Sequence, residues 1–280
     1  MLFAGELHLP ECPRWHDGAL WLSDMWAHQV LRFDADGTRH VERTFPEDDD
    51  PGGLGWLPDG RLLVAGMESR IVWRFDGEHR DVHADLRDLS PFQLNDMVVD
   101  EDGTAWVTQF GWDMWGGGSY ADTVLVRVSA DGDATVVAEG MAVPNGIAVR
   151  DTDLVVAEPG AGRISSFTID GAGLRDRRTI ALPVADGAAH VTPDGLCLDA
   201  EGGIWTADPL GHRVLHLGDG EVDTIIPVPD GSPLACVLGG PDRRTLFVCV
   251  GGQHHKPTRT PEPTGRVLTF EADVPGEGRP

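Results

Sequence analysis

The sequence has no apolar run that approaches the roughly 20 residues needed to span a bilayer, so we expect no transmembrane helix. Residues 1–10 contain Glu6 but no Lys or Arg, which is a poor match to a secretion signal. The four cysteines show no CxxC spacing, and we expect reduced, mostly buried thiols. A contact between Cys12 and Cys236 is a possible alternative. Together, these absences predict a cytoplasmic protein without structural disulfides.

Positive charge is scarce: 22 Lys and Arg stand against 46 Asp and Glu, and the formal net charge is −24. Nucleic acids and anionic membranes are bound through basic patches, so neither is an expected partner. The sequence also lacks GxSxG, HExxH and phosphate-loop motifs, and it has no GxGxxG after a strand. We expect most of the acidic residues to form a solvated surface and the partner to be a small molecule. Nothing in the sequence indicates an oligomeric state.

What the sequence does contain is one unit repeated six times. Each unit has an acidic turn, a short apolar strand and then an outer strand. The turn-plus-strand pieces are HDGALWLSD, PDGRLLVAG, EDGTAWVTQ, RDTDLVVAE, AEGGIWTAD and PDRRTLFVC. These strands begin at Leu20, Leu62, Ala105, Leu154, Ile204 and Leu246, at intervals of 42, 43, 49, 50 and 42 residues. This period is typical of one four-stranded propeller blade.

The repeat predicts an all-β fold, a six-bladed β-propeller with four-stranded blades around a central channel, as a single domain over residues 1–280. The strands are rich in Val, Ile, Leu and Trp, and no long segment has a helical period. We expect a strand within residues 2–9 to complete the last blade and hide its edge. Extra loop is expected at residues 110–122 and 171–190. Two β-sandwiches are the alternative, which the even spacing disfavours.

Alignment of the six units predicts a ring of oxygen-bearing side chains at one end of the channel. The position nine or ten residues before each strand start begins the innermost strand of its blade. In chain order it holds Glu11, Gly52 or Gly53, Asn95, Asn145, Asp194, and Cys236 or Val237. The predicted metal ligands are therefore Glu11, Asn95, Asn145 and Asp194. Two carboxylates and two amides suit one divalent cation, with Ca²⁺ expected first and Zn²⁺, Mg²⁺, Mn²⁺ or Fe²⁺ as alternatives.

Asparagine is rare, since Asn95 and Asn145 are the only two in the chain, and both fall at the same repeat position. That coincidence favours a shared role at the ring. The alternative is that both serve turns, because Asn tolerates left-handed backbone. In the third unit, the neighbouring Asp96 could also take the place of Asn95.

Four segments carry a resemblance to a known family: ECPRWHDGALWLSD, FQLNDMVVDEDGTAWV, VPNGIAV and PDGLCLDAEGGIWTAD. Through them the whole chain resembles the gluconolactonase, regucalcin (senescence marker protein) and luciferin-regenerating enzyme family, with diisopropyl fluorophosphatase a more distant relative. The resemblance implies a six-bladed propeller with a catalytic divalent metal bound by Glu11, Asn145 and Asp194. It also implies that Asn95 contacts metal or substrate, in agreement with the ring.

The chain departs from that family pattern at two positions. Sugar-lactone members have an Arg that holds substrate hydroxyls two residues before the Asn of blade three, where this sequence has Gln93. The residue after the first Glu is usually Gly, and here it is Cys12. The first departure weakens the expectation of a gluconolactone-type substrate. The second is expected to reshape the mouth of the channel and to bring a thiol near the site.

The leading hypothesis is a metal-dependent, gluconolactonase-like hydrolase that acts on an ester, with a sugar lactone or related small lactone as the first choice. Water would attack a carbonyl group that the ion polarises. The predicted catalytic residues are Asp194 and Asn95, and Asp194 is either a general base or a ligand alone. The alternatives are a non-enzymatic Ca²⁺-binding propeller, a phosphotriester or other ester hydrolase, and a sugar-acid dehydratase or isomerase at the same metal.

Substrate contacts are expected from Gln93, Asn95, Trp112, Trp115 and Tyr120. The three aromatic residues either form an apolar wall over the metal or pack between blades, and the glycines at 116–118 could form a lid.

Several further polar residues are weaker candidates. His190 could reach the site, whereas His254 and His255 are expected at the surface, because adjacent strand residues point in opposite directions. Gln109 and Glu158 lie at predicted strand ends, either beside the site or as ordinary strand-end polarity.

Overall fold

The computed structural model describes residues 1–113, 116–183, 191–252 and 262–279. Within them, the chain forms 24 β-strands arranged as six four-stranded antiparallel sheets. The helical segments in the same residues are two 3-10 turns, Met25–Ala27 and Pro159–Ala161. None of the described helices is long and apolar enough to cross a membrane. The predicted all-β, six-bladed propeller is confirmed.

Blades 1 to 5 take their strands in chain order from the channel outwards, and blade 6 takes its outermost strand from the start of the chain. Blade 1 contains β2 (Pro10–His16), β3 (Ala19–Asp24), β4 (Gln29–Phe33) and β5 (Arg39–Thr44). Blade 2 contains β6 (Pro51–Trp56), β7 (Leu62–Gly66), β8 (Ile71–Asp76) and β9 (His79–Asp85). Blade 3 contains β10 (Leu94–Val99), β11 (Ala105–Gln109), β12 (Thr123–Val128) and β13 (Ala134–Met141).

The second half of the ring repeats this arrangement. Blade 4 contains β14 (Ile147–Arg150), β15 (Asp153–Glu158), β16 (Arg163–Asp170) and β17 (Gly173–Ala181). Blade 5 contains β18 (Leu196–Leu198), β19 (Ile204–Asp208), β20 (Arg213–Gly218) and β21 (Glu221–Pro227). Blade 6 contains β22 (Ser232–Gly239), β23 (Thr245–Gly251), β24 (Gly265–Glu271) and β1 (Leu2–Leu7).

The N-terminal strand closes the ring, as the sequence predicts. β1 pairs antiparallel with β24, so that Leu2 lies opposite Leu268 and Leu7 opposite Gly265. At the other end of the chain, Gly276 bridges to Asp199 and Arg279 to Val149, which ties the C-terminal segment to blades 5 and 4.

The second strand of every blade begins within one residue of its predicted start. The predicted extra loop at residues 171–190 was wrong in part, because Gly173–Ala181 forms β17. That strand is the outermost of blade 4 and most of its residues are solvent-exposed. It therefore carries no apolar alternation by which sequence reasoning could find it.

The core is divided among the junctions between blades. Six apolar clusters of described residues each join two neighbouring sheets, and the cluster between blades 2 and 3, for example, contains Leu63 and Met97. A seventh cluster lies at one end of the channel and contains Cys12, Met25, Trp26, Met67, Phe110 and Val143. We call this last group the mouth cluster. Six similar interfaces hold the inner strands at fixed positions around the channel, which positions whatever side chains begin those strands.

Candidate functional site

The four oxygen-bearing residues of the predicted ring line one cavity of about 400 Å³. Glu11 lies in β2 and Asn95 in β10, whereas Asn145 and Asp194 come just before β14 and β18. In blades 4 and 5 the backbone fixes the position of the ring residue. The N–H of Asn145 donates to Ala157 O at 2.9 Å, and the N–H of Asp194 donates to Ala207 O at 2.9 Å. Equivalent places in four blades thus bring two carboxylates and two amides to a common space.

Glycine after a ring position lets neighbouring inner strands approach closely. A Cβ atom on Gly146 would lie 2.4 Å from Asp194 O, and one on Gly195 would lie 2.3 Å from the Cβ of Ala235. The Asn-Gly and Asp-Gly pairs therefore serve blade packing. Asn145 is not among the residues with positive φ, so a left-handed turn does not account for it.

The sixth blade differs from the prediction at the ring. The β22–β23 register places Pro233 opposite Val250, so Leu234, and not Cys236 or Val237, is the equivalent position. Leu234 lines the cavity, and the Cys236 thiol instead faces Gly195 O at 3.8 Å. The hairpin of blade 6 is longer than the others, so counting back from its second strand gave the wrong residue. Proline precedes the ring residue in five blades, at positions 10, 51, 144, 193 and 233, and this signal would have found Leu234.

Burial leaves the two ring carboxylates poorly compensated. Burial and the nearby charge of Asp96 raise the pKa of Glu11 from 4.5 to about 8. Burial, followed by the charges of Glu11 and Asp96, holds the pKa of Asp194 well above its ordinary value. The Oδ1 atom of Asp194 is buried and has no hydrogen-bond partner among the residues that the structure describes. A cation between these carboxylates would remove both the repulsion and the unmet acceptor.

The chemistry of the donors fits a hard cation. Glu11 and Asp194 supply two negative charges, and the amide oxygens of Asn95 and Asn145 supply neutral ligands. The described residues contain no group of three or more His, Cys, Asp and Glu side chains placed to bind a metal ion. A cation in the cavity would therefore depend on the two amides and on water to complete its coordination.

Asp96 does not compete with Asn95 for the cavity. Arg14 donates to Asp96 Oδ1 at 2.5 Å, to Met97 O at 2.6 Å and to Leu54 O at 3.0 Å. Both charged side chains are about 5% exposed. Asp96 therefore belongs to a buried ion pair that joins blades 1, 2 and 3, while Asn95 faces the cavity.

A carboxylate at the end of the second strand holds the segment before the ring residue in three blades. In blade 1, Asp24 accepts from the N–H groups of His8 and Leu9 at 2.9 and 2.7 Å. In blade 4, Glu158 accepts from the N–H of Ala142 at 2.7 Å.

In blade 5, the third of these carboxylates, Asp208, accepts from the N–H of Thr192 at 3.1 Å. None of the three lines the cavity, so they act on Glu11, Asn145 and Asp194 through the backbone. From the sequence alone, Glu158 could lie beside the site or be ordinary strand-end polarity. The acidic residue that recurs at the end of the second strand in these three blades is the signal that predicts its position.

The predicted substrate residues are only partly brought together. Trp112 and Tyr120 line the cavity, with ring centroids 6.2 Å apart. Gln93 does not line it, although its buried Oε1 has no hydrogen-bond partner within the described ranges. Trp115, His190, His254 and His255 lie outside the described residues. Gln109 lies away from the cavity, with its Nε2 3.4 Å from Leu89 O.

The walls of the cavity are apolar, which sequence reasoning missed apart from the aromatic loop. Five members of the mouth cluster line it: Met25, Trp26, Met67, Phe110 and Val143. Leu9, Leu210 and Leu234 add further apolar surface. Apart from Leu234 in β22, these residues lie outside the strands, where no periodic pattern indicates which way a side chain points.

Cys12 belongs to the mouth cluster but does not line the cavity. Its φ of 50° lies in the left-handed region, in keeping with the Gly expected at this position. Burial, followed by the charges of Asp96 and Glu11, raises the pKa of the Cys12 thiol well above its usual value. The thiol therefore packs beneath the site as an uncharged group.

Comparison with known proteins agrees with this geometry. A family model described as SMP-30/Gluconolactonase/LRE-like region matches residues 9–251. Pentonolactonase XacC of Haloferax volcanii is 29% identical, with 97% of this chain and 93% of that protein aligned. The 6-deoxy-6-sulfogluconolactonase of Pseudomonas putida is 26% identical, with 97% and 94% aligned. The crystal structure of regucalcin from Agrobacterium tumefaciens, described as a calcium-binding protein, has a TM-score of 0.76 at 22% identity, with 99% and 95% covered.

Proposed function

Because the chain belongs to the SMP-30/gluconolactonase/LRE-like family, we propose that it is a lactone hydrolase that uses one divalent cation, with Ca²⁺ as the first candidate. Two relatives that align over nearly the whole chain are named as lactonases, and a structural neighbour is named as a calcium-binding protein. The substrate would be a small molecule that enters the cavity over the ring.

One observation carries the proposal: Glu11, Asn95, Asn145 and Asp194 share one cavity, and Asp194 Oδ1 is buried without a partner in the described part of the chain. Two buried carboxylates with raised pKa values are costly unless a charge compensates them. Asn95 and Asn145 add oxygen ligands without adding further negative charge. This donor set matches the preference of Ca²⁺ for carboxylate and amide oxygens.

The chemistry divides between the cation and the chain's own groups. When bound, a divalent cation would polarise the lactone carbonyl and stabilise negative charge on its oxygen. In its ionised form, Asp194 would accept a proton from the attacking water, because a carboxylate beside the reacting atoms can act as a general base. As the ring C–O bond breaks, Asp194 returns that proton to the departing oxygen, and the product is a hydroxy acid.

Asn95 is placed to orient the carbonyl group. Its Nδ2 lies 3.5 Å from Pro144 O, which is a weak contact that a substrate oxygen could replace. The buried backbone of β10 fixes the position of Asn95, because all six residues of that strand are buried. A rigid donor aimed at the developing charge contributes more than a mobile one.

The space beside the ring favours an enzyme over a purely structural cation site. The corresponding positions of blades 2 and 6 hold Gly52 and Leu234, which offer no side-chain oxygen. A cation bound by four residues of the ring would keep open coordination positions toward the cavity of about 400 Å³. Room for a ligand next to such a cation is typical of a catalytic centre.

The test is a lactone panel assayed with chelator-treated protein, with and without added Ca²⁺, Mg²⁺, Mn²⁺ or Zn²⁺. We expect ring opening to require one of these ions, and Asp194→Asn to lower kcat/KM at least a hundredfold. The same ion should raise the Tm of the wild type but not that of Glu11→Gln/Asp194→Asn. Asp223→Asn, which removes a half-exposed carboxylate from the same blade as Asp194, is the matched control. Full activity in chelator would contradict the proposal.

A further inference from the structure

The chemistry of the cavity walls points to the class of lactone. Eleven apolar side chains of described residues line the space over the ring: Leu9, Met25, Trp26, Met67, Phe110, Trp112, Val143, Pro159, Pro209, Leu210 and Leu234. Among the residues that the structure describes, no Arg, Lys or His lines this cavity. Most of the wall belongs to the mouth cluster or packs against it, so it is supported by a packed core.

The few polar side chains of the wall outside the ring are already engaged. The Tyr120 hydroxyl donates to Asp122 Oδ1 at 2.6 Å, and the Thr192 hydroxyl donates to Asp208 Oδ1 at 3.0 Å. Besides these hydroxyls, the wall outside the ring has the indole Nε1–H groups of Trp26 and Trp112, and that of Trp112 is buried without a partner among the described residues. The wall therefore offers at most two further side-chain donors and a large apolar surface.

We propose that the substrate is a lactone whose ring carries an alkyl or aryl group, and not a polyhydroxylated sugar lactone. This inference rests on the proposed lactone hydrolysis and adds the substrate class. The ester group would lie at the ring of oxygens, and the apolar substituent would lie against Met67, Phe110 and Leu210.

A sugar lactone would fit this wall poorly. Its ring hydroxyls would lose water and find few side-chain partners among the described wall residues, and a buried hydroxyl without a partner is destabilising. An alkyl chain has no such requirement, and each methylene transferred from water to an apolar wall strengthens binding about fourfold. The apolar cavity should therefore strengthen the binding of alkyl lactones and weaken the binding of sugar lactones.

A homologous series tests the proposal. Rates are measured with the cation-loaded protein on δ-valerolactone, δ-hexalactone, δ-octalactone and δ-decalactone, and on glucono-δ-lactone and a pentonolactone, after subtraction of spontaneous hydrolysis. We expect kcat/KM to rise about twofold to fourfold per methylene along the alkyl series until the cavity is filled. We expect both sugar lactones to fall at least tenfold below δ-octalactone.

A pair of surface variants adds a test at the wall itself. Leu210 lines the cavity but is 64% exposed, so Leu210→Asn can change the wall without emptying the core. Ile225 in β21 is 53% exposed and does not line the cavity, so Ile225→Asn is its matched control. Leu210→Asn should raise KM for δ-decalactone about fivefold with kcat unchanged, and should leave δ-valerolactone within about twofold. Ile225→Asn should change neither.

The outcomes separate the two proposals. Turnover of δ-valerolactone together with equal or better kcat/KM on the sugar lactones overturns the apolar class and leaves lactone hydrolysis standing. A flat alkyl series, or an equal effect of Leu210→Asn on both alkyl lactones, also overturns it. No turnover of any lactone by folded, cation-loaded protein overturns the proposed function, and the substrate class with it.

Discussion

Asp208 accepts a hydrogen bond from the backbone N–H of Thr192 at 3.1 Å, two residues before Asp194. It also accepts from the Thr192 hydroxyl at 3.0 Å and from Arg213 Nε at 2.8 Å. Asp208 is buried and does not line the cavity. Its carboxylate therefore fixes the backbone that presents Asp194, without reaching the reacting atoms.

Asp208→Asn should weaken both the fold and the site. Removing one charge leaves the Arg213 guanidinium without its buried partner, so we expect about 3 kcal/mol less free energy of unfolding in urea titrations. The backbone before Asp194 would also be held less firmly, and kcat should fall about tenfold with weaker binding of the activating ion. Asp223→Asn, whose partner is His216 in the same blade, should cost less than about 1 kcal/mol and leave kcat unchanged. Unchanged ion affinity in Asp208→Asn would contradict the positioning role.

Glu158 should make the stability of blade 4 depend on acid pH. Burial raises the pKa of this carboxyl, but hydrogen bonds from Arg163, Ala142, Ser165 and Arg177 outweigh it and leave the pKa below its ordinary 4.5. A lowered folded-state pKa contributes stability that is present above the unfolded value and is lost as the pH falls through the folded value.

The measurement is the free energy of unfolding of wild type and Glu158→Gln between pH 7 and pH 3. The wild type should be more stable at neutral pH, and the difference should narrow only below about pH 4.5, where the unfolded carboxyl begins to hold its proton. A difference that stays constant across this range would show that the ionised form has no special stabilisation.

The contributions of Arg14 and Asp96 to the free energy of unfolding should depend on one another. Arg14→Met leaves a buried carboxylate without its guanidinium and also removes donors from Leu54 O and Met97 O, so we expect a loss of about 3–5 kcal/mol. The double variant Arg14→Met/Asp96→Leu removes both charges and should recover about 1 kcal/mol or more of that loss. Urea unfolding of the four species gives the coupling energy, and additive losses would mean that the pair does not act as a unit.

The four cysteines should be unreactive in the folded protein. All are buried and free, and burial is the first cause that raises the pKa values of Cys12, Cys236 and Cys249. Since the thiolate is the reactive form, a thiol reagent at pH 8 should label none of them natively and all four in denaturant. Rapid labelling of Cys12 alone would show that the mouth cluster opens.

The repeat was sufficient to predict the blades and most of the ring from sequence. Rotation relates equivalent positions, so a correct period places Glu11, Asn95, Asn145 and Asp194 together without knowledge of any contact. The same reasoning failed in blade 6, where a longer hairpin changed the count and Leu234 was missed. Register depends on hairpin length, which must be known for each blade separately.

The walls of the cavity could not be predicted in this way. Met67 and Phe110 lie just after strand ends, where the period of two no longer determines direction, and only packing in the mouth cluster turns them toward the cavity. Gln93 illustrates the same limit: the family resemblance suggested a substrate contact at this position, and among the described residues it is not part of the cavity lining. Loop residues are oriented by tertiary contacts that no local pattern encodes.

The pairing of β1 with β24 has a consequence for biosynthesis. Residues 2–7 are synthesised well before their hydrogen-bonding partner at residues 265–271. This strand must therefore wait without its native partner while five complete blades emerge, and the circle can be sealed only once residues 265–271 have left the ribosome.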